Sequence, residues 1–299
     1  MFRKNAITLA ALVIITAGCS GGNEGNPAAG LLSHIPAAST PQSICAAGSV
    51  VFAPVTPLVC DSLPAAPSAP DVDLLPGGYW TGQFLDETQD VQGYIAAMVS
   101  EDGRFQLQAF RFNDNNLCYN WEAALAGDMT TDGNTLDGGG RLIAVSPTLV
   151  DGTRAADLHI EGWLEERSSM IGKWSAASGD AGCYELSYYD YVYDAPSALA
   201  NVVGNWSGHG SNPGAGLHVA TDGALNGSDG YGCNLSGYLG LIDDRYSLYE
   251  FDADVTSCLQ AGHYAGLAWQ GPGWDSGEFW LQIRANDDAR VLALNFTNR

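Results

Sequence analysis

The chain has 299 residues and a formal net charge of −22 at pH 7, with 34 Asp and Glu against 12 Lys and Arg. Such a surface repels nucleic acid and anionic lipid, so we expect no nucleic-acid partner. The length allows about two ordinary domains. No Gly-x-Ser-x-Gly elbow, His-Glu-x-x-His motif or phosphate-binding glycine loop occurs. The sequence therefore indicates no catalytic residue and no cofactor.

The N-terminus has the pattern of an export signal. Arg3 and Lys4 precede an apolar run of about ten residues, which is too short to span a bilayer. The run ends in Ile-Thr-Ala-Gly-Cys-Ser, which resembles the lipobox of bacterial lipoproteins, although Thr16 stands where Leu is most usual. The resemblance implies removal of residues 1–18, attachment of palmitate-type lipid to Cys19 and a membrane partner, and Ser20 implies the outer membrane. A transmembrane anchor is the alternative.

Residues 19–76 have the composition of a tether. Nine of the 13 prolines lie between residues 20 and 78, where no Lys or Arg occurs. A proline-rich segment stays extended and builds no core of its own. We therefore expect a disordered tether, interrupted only by a small clip that Cys45 and Cys60 would close.

The chain has seven cysteines. With Cys19 assigned to lipid, an even number remains in an exported chain, which favours three disulfide bonds. No Cys-x-x-Cys occurs, which argues against a zinc ribbon. Of the 15 connectivities that six cysteines allow, we favour the one that keeps each bridge local, which joins Cys45 to Cys60, Cys118 to Cys183 and Cys233 to Cys258.

From Gly77 onward the sequence has the pattern of antiparallel β-sheet. Short runs of aliphatic and aromatic residues are separated by Asp-Gly steps at 102–103, 132–133, 151–152, 222–223 and 229–230, which favour tight hairpin turns. The segments 104–112 and 279–284 alternate apolar and polar residues, as half-buried strands do. We predict an all-β fold of two antiparallel β-barrel or β-sandwich domains, at residues 77–196 and 197–299, with the boundary at an Ala-Pro-Ser-Ala break.

The two predicted domains share an order of features, which indicates duplication. Gly-Tyr-Trp-Thr-Gly begins the first at Gly78, and Gly-Asn-Trp-Ser-Gly begins the second at Gly204. In each, an Asp-Gly hairpin, a cysteine and a later tryptophan follow, with Cys118 and Trp174 corresponding to Cys233 and Trp269.

The Gly-x-Trp opening resembles the first strand of calycin-type barrels, the lipocalins and avidins. Residues 204–227 resemble the first avidin hairpin in particular. This resemblance implies a small antiparallel barrel, and we carry over no ligand from it. A barrel of eight strands can hold one small ligand or be filled by its own side chains.

Aromatic side chains supply the candidate binding residues. If residues 188–193 formed a strand, Tyr189, Tyr191 and Tyr193 would lie on one face, either as an outer barrel wall or as a surface that stacks on a sugar or a partner. Trp274 lies in the glycine-rich segment 270–277, either as an exposed anchor or as a plug over the end of a barrel.

The histidines predict no metal site, because no spacing brings His209, His218 and His263 together. We therefore expect a cell-envelope lipoprotein with a non-catalytic binding role, for a small ligand, a glycan or a protein partner. A structural surface protein is the alternative, and an envelope hydrolase is the second alternative.

Overall fold

A computed structural model describes residues 58–68, 70, 72–112, 119–144, 148–209, 214–272 and 279–298. These residues form two closed antiparallel barrels of eight strands each, in which every strand pairs with the next and the last pairs with the first. The predicted all-β class with two antiparallel domains is therefore confirmed, and each domain is a barrel. No helix in the described ranges is long and apolar enough to cross a bilayer.

The first barrel is built from relatively long strands. Their bounds are β1 Gly78–Asp86, β2 Val91–Val99, β3 Arg104–Phe112, β4 Tyr119–Asp132, β5 Thr135–Ala144, β6 Ala155–Glu165, β7 Ser169–Ala176 and β8 Ala181–Tyr188.

The second barrel begins after a short helix, α1 (Asp190–Tyr193), and a 3-10 turn at Leu199–Asn201. Its strands are β9 Gly204–Gly208, β10 Gly216–Val219, β11 Ala224–Ser228, β12 Asn234–Leu241, β13 Leu248–Thr256, β14 Gly262–Pro272, β15 Phe279–Asn286 and β16 Val291–Thr297.

The hairpins follow the local sequence. The glycine of each of the five Asp-Gly steps predicted as turns has a positive φ, for example 90° at Gly103 and 89° at Gly223. Glycine reaches this region without the steric cost that a Cβ brings. Alternate residues of each strand then point into a barrel, so Leu281 and Ile283 of β15 are fully buried while Gln282 between them is not.

The tryptophan of each Gly-x-Trp motif makes the same contact in its barrel. The indole N–H of Trp80 donates to the carbonyl of Pro76 at 3.0 Å, and that of Trp206 donates to the carbonyl of Val202 at 2.8 Å. Both rings are buried. The shared contact supports the duplication. The correspondence of Trp174 with Trp269 is wrong, since Trp174 is on the seventh strand of its barrel and Trp269 is on the sixth.

The barrels pack against each other through their outer faces. Met98 of the first barrel joins Leu248, Leu267 and Trp269 of the second in one buried cluster. Polar contacts flank this cluster. Gln106 donates to Asn286 at 2.9 Å, and Arg104 lies 3.3 Å from Glu250.

The predicted tether is wrong for its last part, because residues 58–68 and 72–76 lie along the first barrel. The Leu74 N–H donates to the Gly133 carbonyl at 3.0 Å, and Trp163 donates to the Pro64 carbonyl at 3.1 Å. Leu58 is buried in a cluster with Leu85. These contacts replace the water that a proline-rich segment binds when it is free.

The disulfide prediction is correct for one bridge and wrong for two. Cys233 is joined to Cys258, as the local pairing predicts. Cys60 is joined to Cys183, with a sequence separation of 123 residues. This bridge excludes both Cys45 with Cys60 and Cys118 with Cys183. The physical reason is that residues 58–62 run beside β8, where Cys60 and Cys183 are both buried. Cys45 and Cys118 lie outside the described residues.

Candidate ligand-binding cavity

The interior of the first barrel contains a cavity of about 50 Å³. On the same scale a single water molecule needs roughly 10–15 Å³. Its wall is largely aliphatic. Side chains from at least six strands contribute to it, among them Ile95, Leu107, Leu125, Leu142, Ile160 and Leu186. The cavity is therefore an apolar chamber larger than one water.

A row of alanines accounts for much of the empty space. Ala109 of β3 lies opposite Ala123 of β4, and Ala123 lies opposite Ala144 of β5. All three line the cavity. Three neighbouring strands thus present methyl groups at one level, where larger side chains would fill the barrel. The register shifts directly after Ala109, which indicates a β-bulge beside the row.

Polar side chains line the cavity at the end formed by the β1–β2, β5–β6 and β7–β8 turns. Asp86 is the last residue of β1 and lines the cavity with Phe84 and Gln89. One carboxylate oxygen, Oδ1, accepts the backbone N–H groups of Thr88 and Gln89, both at 3.0 Å. Among the described residues, the other oxygen, Oδ2, accepts no hydrogen bond.

Burial raises the pKa of the Asp86 carboxyl, and the nearby charge of Asp180 raises it further, while the backbone N–H groups lower it. The carboxylate is thus less stable here than in water, because the apolar wall replaces part of its hydration. A donor group that entered this end would relieve that cost.

Asp180 holds the polar end together. It is 1% exposed. Its carboxylate accepts from the Gln89 side chain at 2.6 Å, from the Ser178 hydroxyl at 2.6 Å and from the Val150 backbone N–H at 3.0 Å. One buried carboxylate therefore links three turns, and Leu149 beside it packs into the cavity wall.

The tyrosines predicted as a binding face do not form one face of a strand. The strand ends at Tyr188, and Asp190–Tyr193 is helical, so the predicted alternation is wrong. Tyr193 is 2% exposed and packs with Tyr189 in the cluster between the barrels. The side chain of Tyr191 lies outside the described residues. Tyr189 and Tyr193 contact the second barrel in this structure.

An arginine occupies the aromatic cluster between the barrels. The guanidinium carbon of Arg167 lies 5.3, 5.8 and 5.2 Å from the ring centres of Tyr188, Tyr193 and Tyr246. Arg167 also pairs with Glu101 at 3.3 Å. Because the chain supplies its own cation, this aromatic cluster is already filled, and we assign it a structural role.

Several other predicted site residues lie outside the described ranges. They are Cys19, Cys45, Cys118 and Trp274. In the described part of the chain, no group of three or more His, Cys, Asp or Glu side chains is placed to hold a metal ion.

None of the cavity residues was predicted from the sequence as a site residue. Asp86 could have been predicted from the sequence. It lies an even number of positions after Trp80 and Phe84, so its side chain points to the same, inward face of β1. The alanine row carried no such signal, because it depends on the register between three strands that are separate in sequence.

No family model matches the chain, and no curated protein matches it in sequence. A solved structure that is similar to it is the crystal structure of a "putative outer membrane protein" from Bacteroides fragilis NCTC 9343, with a TM-score of 0.25 and 10% identity. The match covers 75% of this chain and 97% of that chain. A TM-score this low supports no inference about function, which must rest on the geometry of the cavity.

Proposed function

We propose that this chain is a cell-envelope lipoprotein whose first barrel binds a small apolar molecule. The observation that carries this proposal is the apolar cavity of about 50 Å³ inside a closed barrel. Ligand sites in proteins are typically concave, mostly apolar and provided with a few polar groups at one end. The cavity has each of these properties.

The size of the cavity limits the ligand. It exceeds the space of a single water, yet it is far smaller than the pockets of roughly 300–1,000 Å³ that hold drug-sized molecules. A single aromatic ring or a short branched chain suits it. Apolar cavities stay dry and bind such molecules because water gains too few hydrogen bonds inside them.

The location in the envelope is part of the proposal and rests on the lipobox-like run that ends at Cys19. Acylation there would tether the barrels to a membrane, because two or more acyl chains give stable attachment. We expect Cys19→Ser to shift the protein from the detergent phase to the aqueous phase. Unchanged partition with an uncleaved N-terminus would indicate a transmembrane anchor.

The binding proposal can be tested with toluene as the probe. The full chain carrying Cys19→Ser avoids lipid and detergent, which would compete for the probe. We expect saturable binding of toluene by calorimetry and by ligand-observed NMR. Ala109→Leu should abolish it, because three added carbons fill the space beside the alanine row. Ala265→Leu is the matched control, since Ala265 is exposed on β14.

Two results would contradict the binding proposal. Absence of toluene binding in a folded protein would favour the alternative, a structural surface protein. Equal toluene binding in the Ala109→Leu and Ala265→Leu variants would place the bound toluene elsewhere.

A further inference from the structure

We infer that the cavity selects ligands whose apolar body ends in a cationic or hydrogen-bond-donating head, with Asp86 as the residue that recognises the head. This inference rests on the proposed binding function and adds the chemical class of the ligand. It predicts small aromatic or aliphatic amines as ligands and excludes small carboxylic acids.

The geometry places one carboxylate where a ligand head would lie. The cavity wall is mostly apolar, and the acidic and amide side chains that line it, Asp86 and Gln89, lie at one end. A ligand that buries its apolar body against the aliphatic wall would therefore place its polar end beside these residues. The Gln89 side-chain amide N–H donates to Asp180 at 2.6 Å, and its carbonyl oxygen is a neutral acceptor. Asp86 is thus the acidic acceptor that lines this end of the cavity.

The second carboxylate oxygen of Asp86 is available. Oδ1 accepts two backbone N–H groups, and Oδ2 accepts none within the described part of the chain. An ionised carboxylate accepts hydrogen bonds and donates none. The ligand must therefore provide the donor, and an ammonium group provides the strongest one because its hydrogen bond to a carboxylate is charge-assisted.

The charge around Asp86 is negative, like that of Asp86 itself. The charged group whose field reaches Asp86 across the barrel end is Asp180, from the β7–β8 turn. Two carboxylates at one end repel an anionic head and attract a cationic one. The rest of the chain adds to this field, since its formal net charge is −22. A fatty acid or an aromatic acid would bring a third negative charge to the same place.

The test compares three molecules that share one ring. Benzylamine carries a cationic head, benzyl alcohol a neutral head of similar size, and benzoate an anionic head. With the full chain carrying Cys19→Ser at neutral pH, we expect benzylamine to bind about five- to tenfold more tightly than benzyl alcohol. Benzoate should bind most weakly.

One variant tests whether Asp86 causes the preference for benzylamine. Asp86→Asn keeps the size of the side chain and an acceptor for the turn, and it should reduce the ratio of benzylamine to benzyl alcohol affinity to about one. Asp90→Asn is the matched control. Asp90 is exposed in the same turn and has a φ of 54°, which asparagine tolerates. The control should keep the wild-type ratio.

The pH gives a second readout. The pKa of Asp86 is raised, and benzylamine stays protonated throughout the acid range. As the pH falls through the pKa of Asp86, this carboxyl becomes neutral, and the preference for benzylamine should fall in the wild type. The preference should be flat with pH in Asp86→Asn.

The outcomes separate this inference from the proposed function. If toluene or benzyl alcohol binds and benzylamine has no advantage, the inference is overturned and the binding function stands. If the advantage persists in Asp86→Asn, the assignment to Asp86 is wrong. Failure of toluene and of all three head-group probes to bind overturns both.

Discussion

The two barrels have the same strand order and the same buried Gly-x-Trp tryptophan, and their strands differ in length. In the first barrel β4 has 14 residues and β6 has 11. In the second, β9 has five residues and β10 has four. At about 3.3 Å per residue, longer strands make a taller barrel with more interior to fill. Topology is therefore shared, and strand length decides how much side-chain volume each interior needs.

The side chains inside the barrels differ accordingly. The second barrel encloses rings at Tyr249, Phe251, Tyr264 and Phe296, each at most 1% exposed. The first barrel has aromatic rings too, yet three neighbouring strands of its wall carry only the methyl groups of Ala109, Ala123 and Ala144 at one level. The comparison shows how one duplicated architecture can enclose aromatic rings in one copy and an apolar cavity in the other.

Removal of the buried Gly-x-Trp tryptophan should have the largest effect on stability, and the effect should be equal in the two barrels. We expect Trp80→Ala and Trp206→Ala each to lower the free energy of unfolding by about 3–5 kcal/mol, because each removes a buried ring. Calorimetry measures this. Trp80→Phe is the control, since it keeps a ring and loses the bond to Pro76. A loss below about 1 kcal/mol in one barrel would contradict the equivalence of the two tryptophans.

Replacing a buried alanine with leucine should lower stability in the second barrel more than in the first. Ala253 is 1% exposed inside the second barrel, so Ala253→Leu should destabilise the chain by about 1–3 kcal/mol through overpacking. Ala109→Leu should change the free energy of unfolding by less than about 1 kcal/mol, because the cavity accepts the added carbons. Urea unfolding checks both. Equal destabilisation would show that the cavity is not available to a larger side chain.

The smallest effect concerns Asp86. Because its pKa is raised in the folded chain, the folded state holds the proton more tightly, and the free energy of unfolding falls as the pH rises through that pKa. Asp86→Asn should therefore be more stable than the wild type at neutral pH, by less than about 1 kcal/mol, since water screens a half-exposed group. The difference should shrink in acid, and Asp90→Asn should show none. Equal thermal midpoints of Asp86→Asn and the wild type at neutral pH would contradict the cost assigned to this carboxylate.

We predict that the two barrels fold independently of each other. Gln106 bonds to Asn286, and Met98 packs against Leu267 and Trp269 across the interface. These contacts can couple the unfolding of the barrels, although each barrel is closed by its own strands. Two separate calorimetric transitions in the tryptophan variants would indicate independence.

Local sequence determined the class of fold, the hairpins and much of the strand pattern. The five Asp-Gly steps predicted as turns are turns, and the predicted strand at residues 104–112 is β3, although its polar residues Gln106 and Gln108 are buried as well. These features depend on backbone sterics and on a period of two, which act over a few residues. The duplicated Gly-x-Trp opening likewise indicated two copies before any pairing was known.

Only the tertiary structure decided the contacts between distant segments. The register that aligns Ala109 with Ala123 and Ala144 creates the cavity, and the path of residues 58–62 along β8 joins Cys60 to Cys183. Tyr193 became an interface residue because a second barrel packs on it. Each outcome depends on which surfaces meet when apolar area leaves water, and that choice is made by the whole chain.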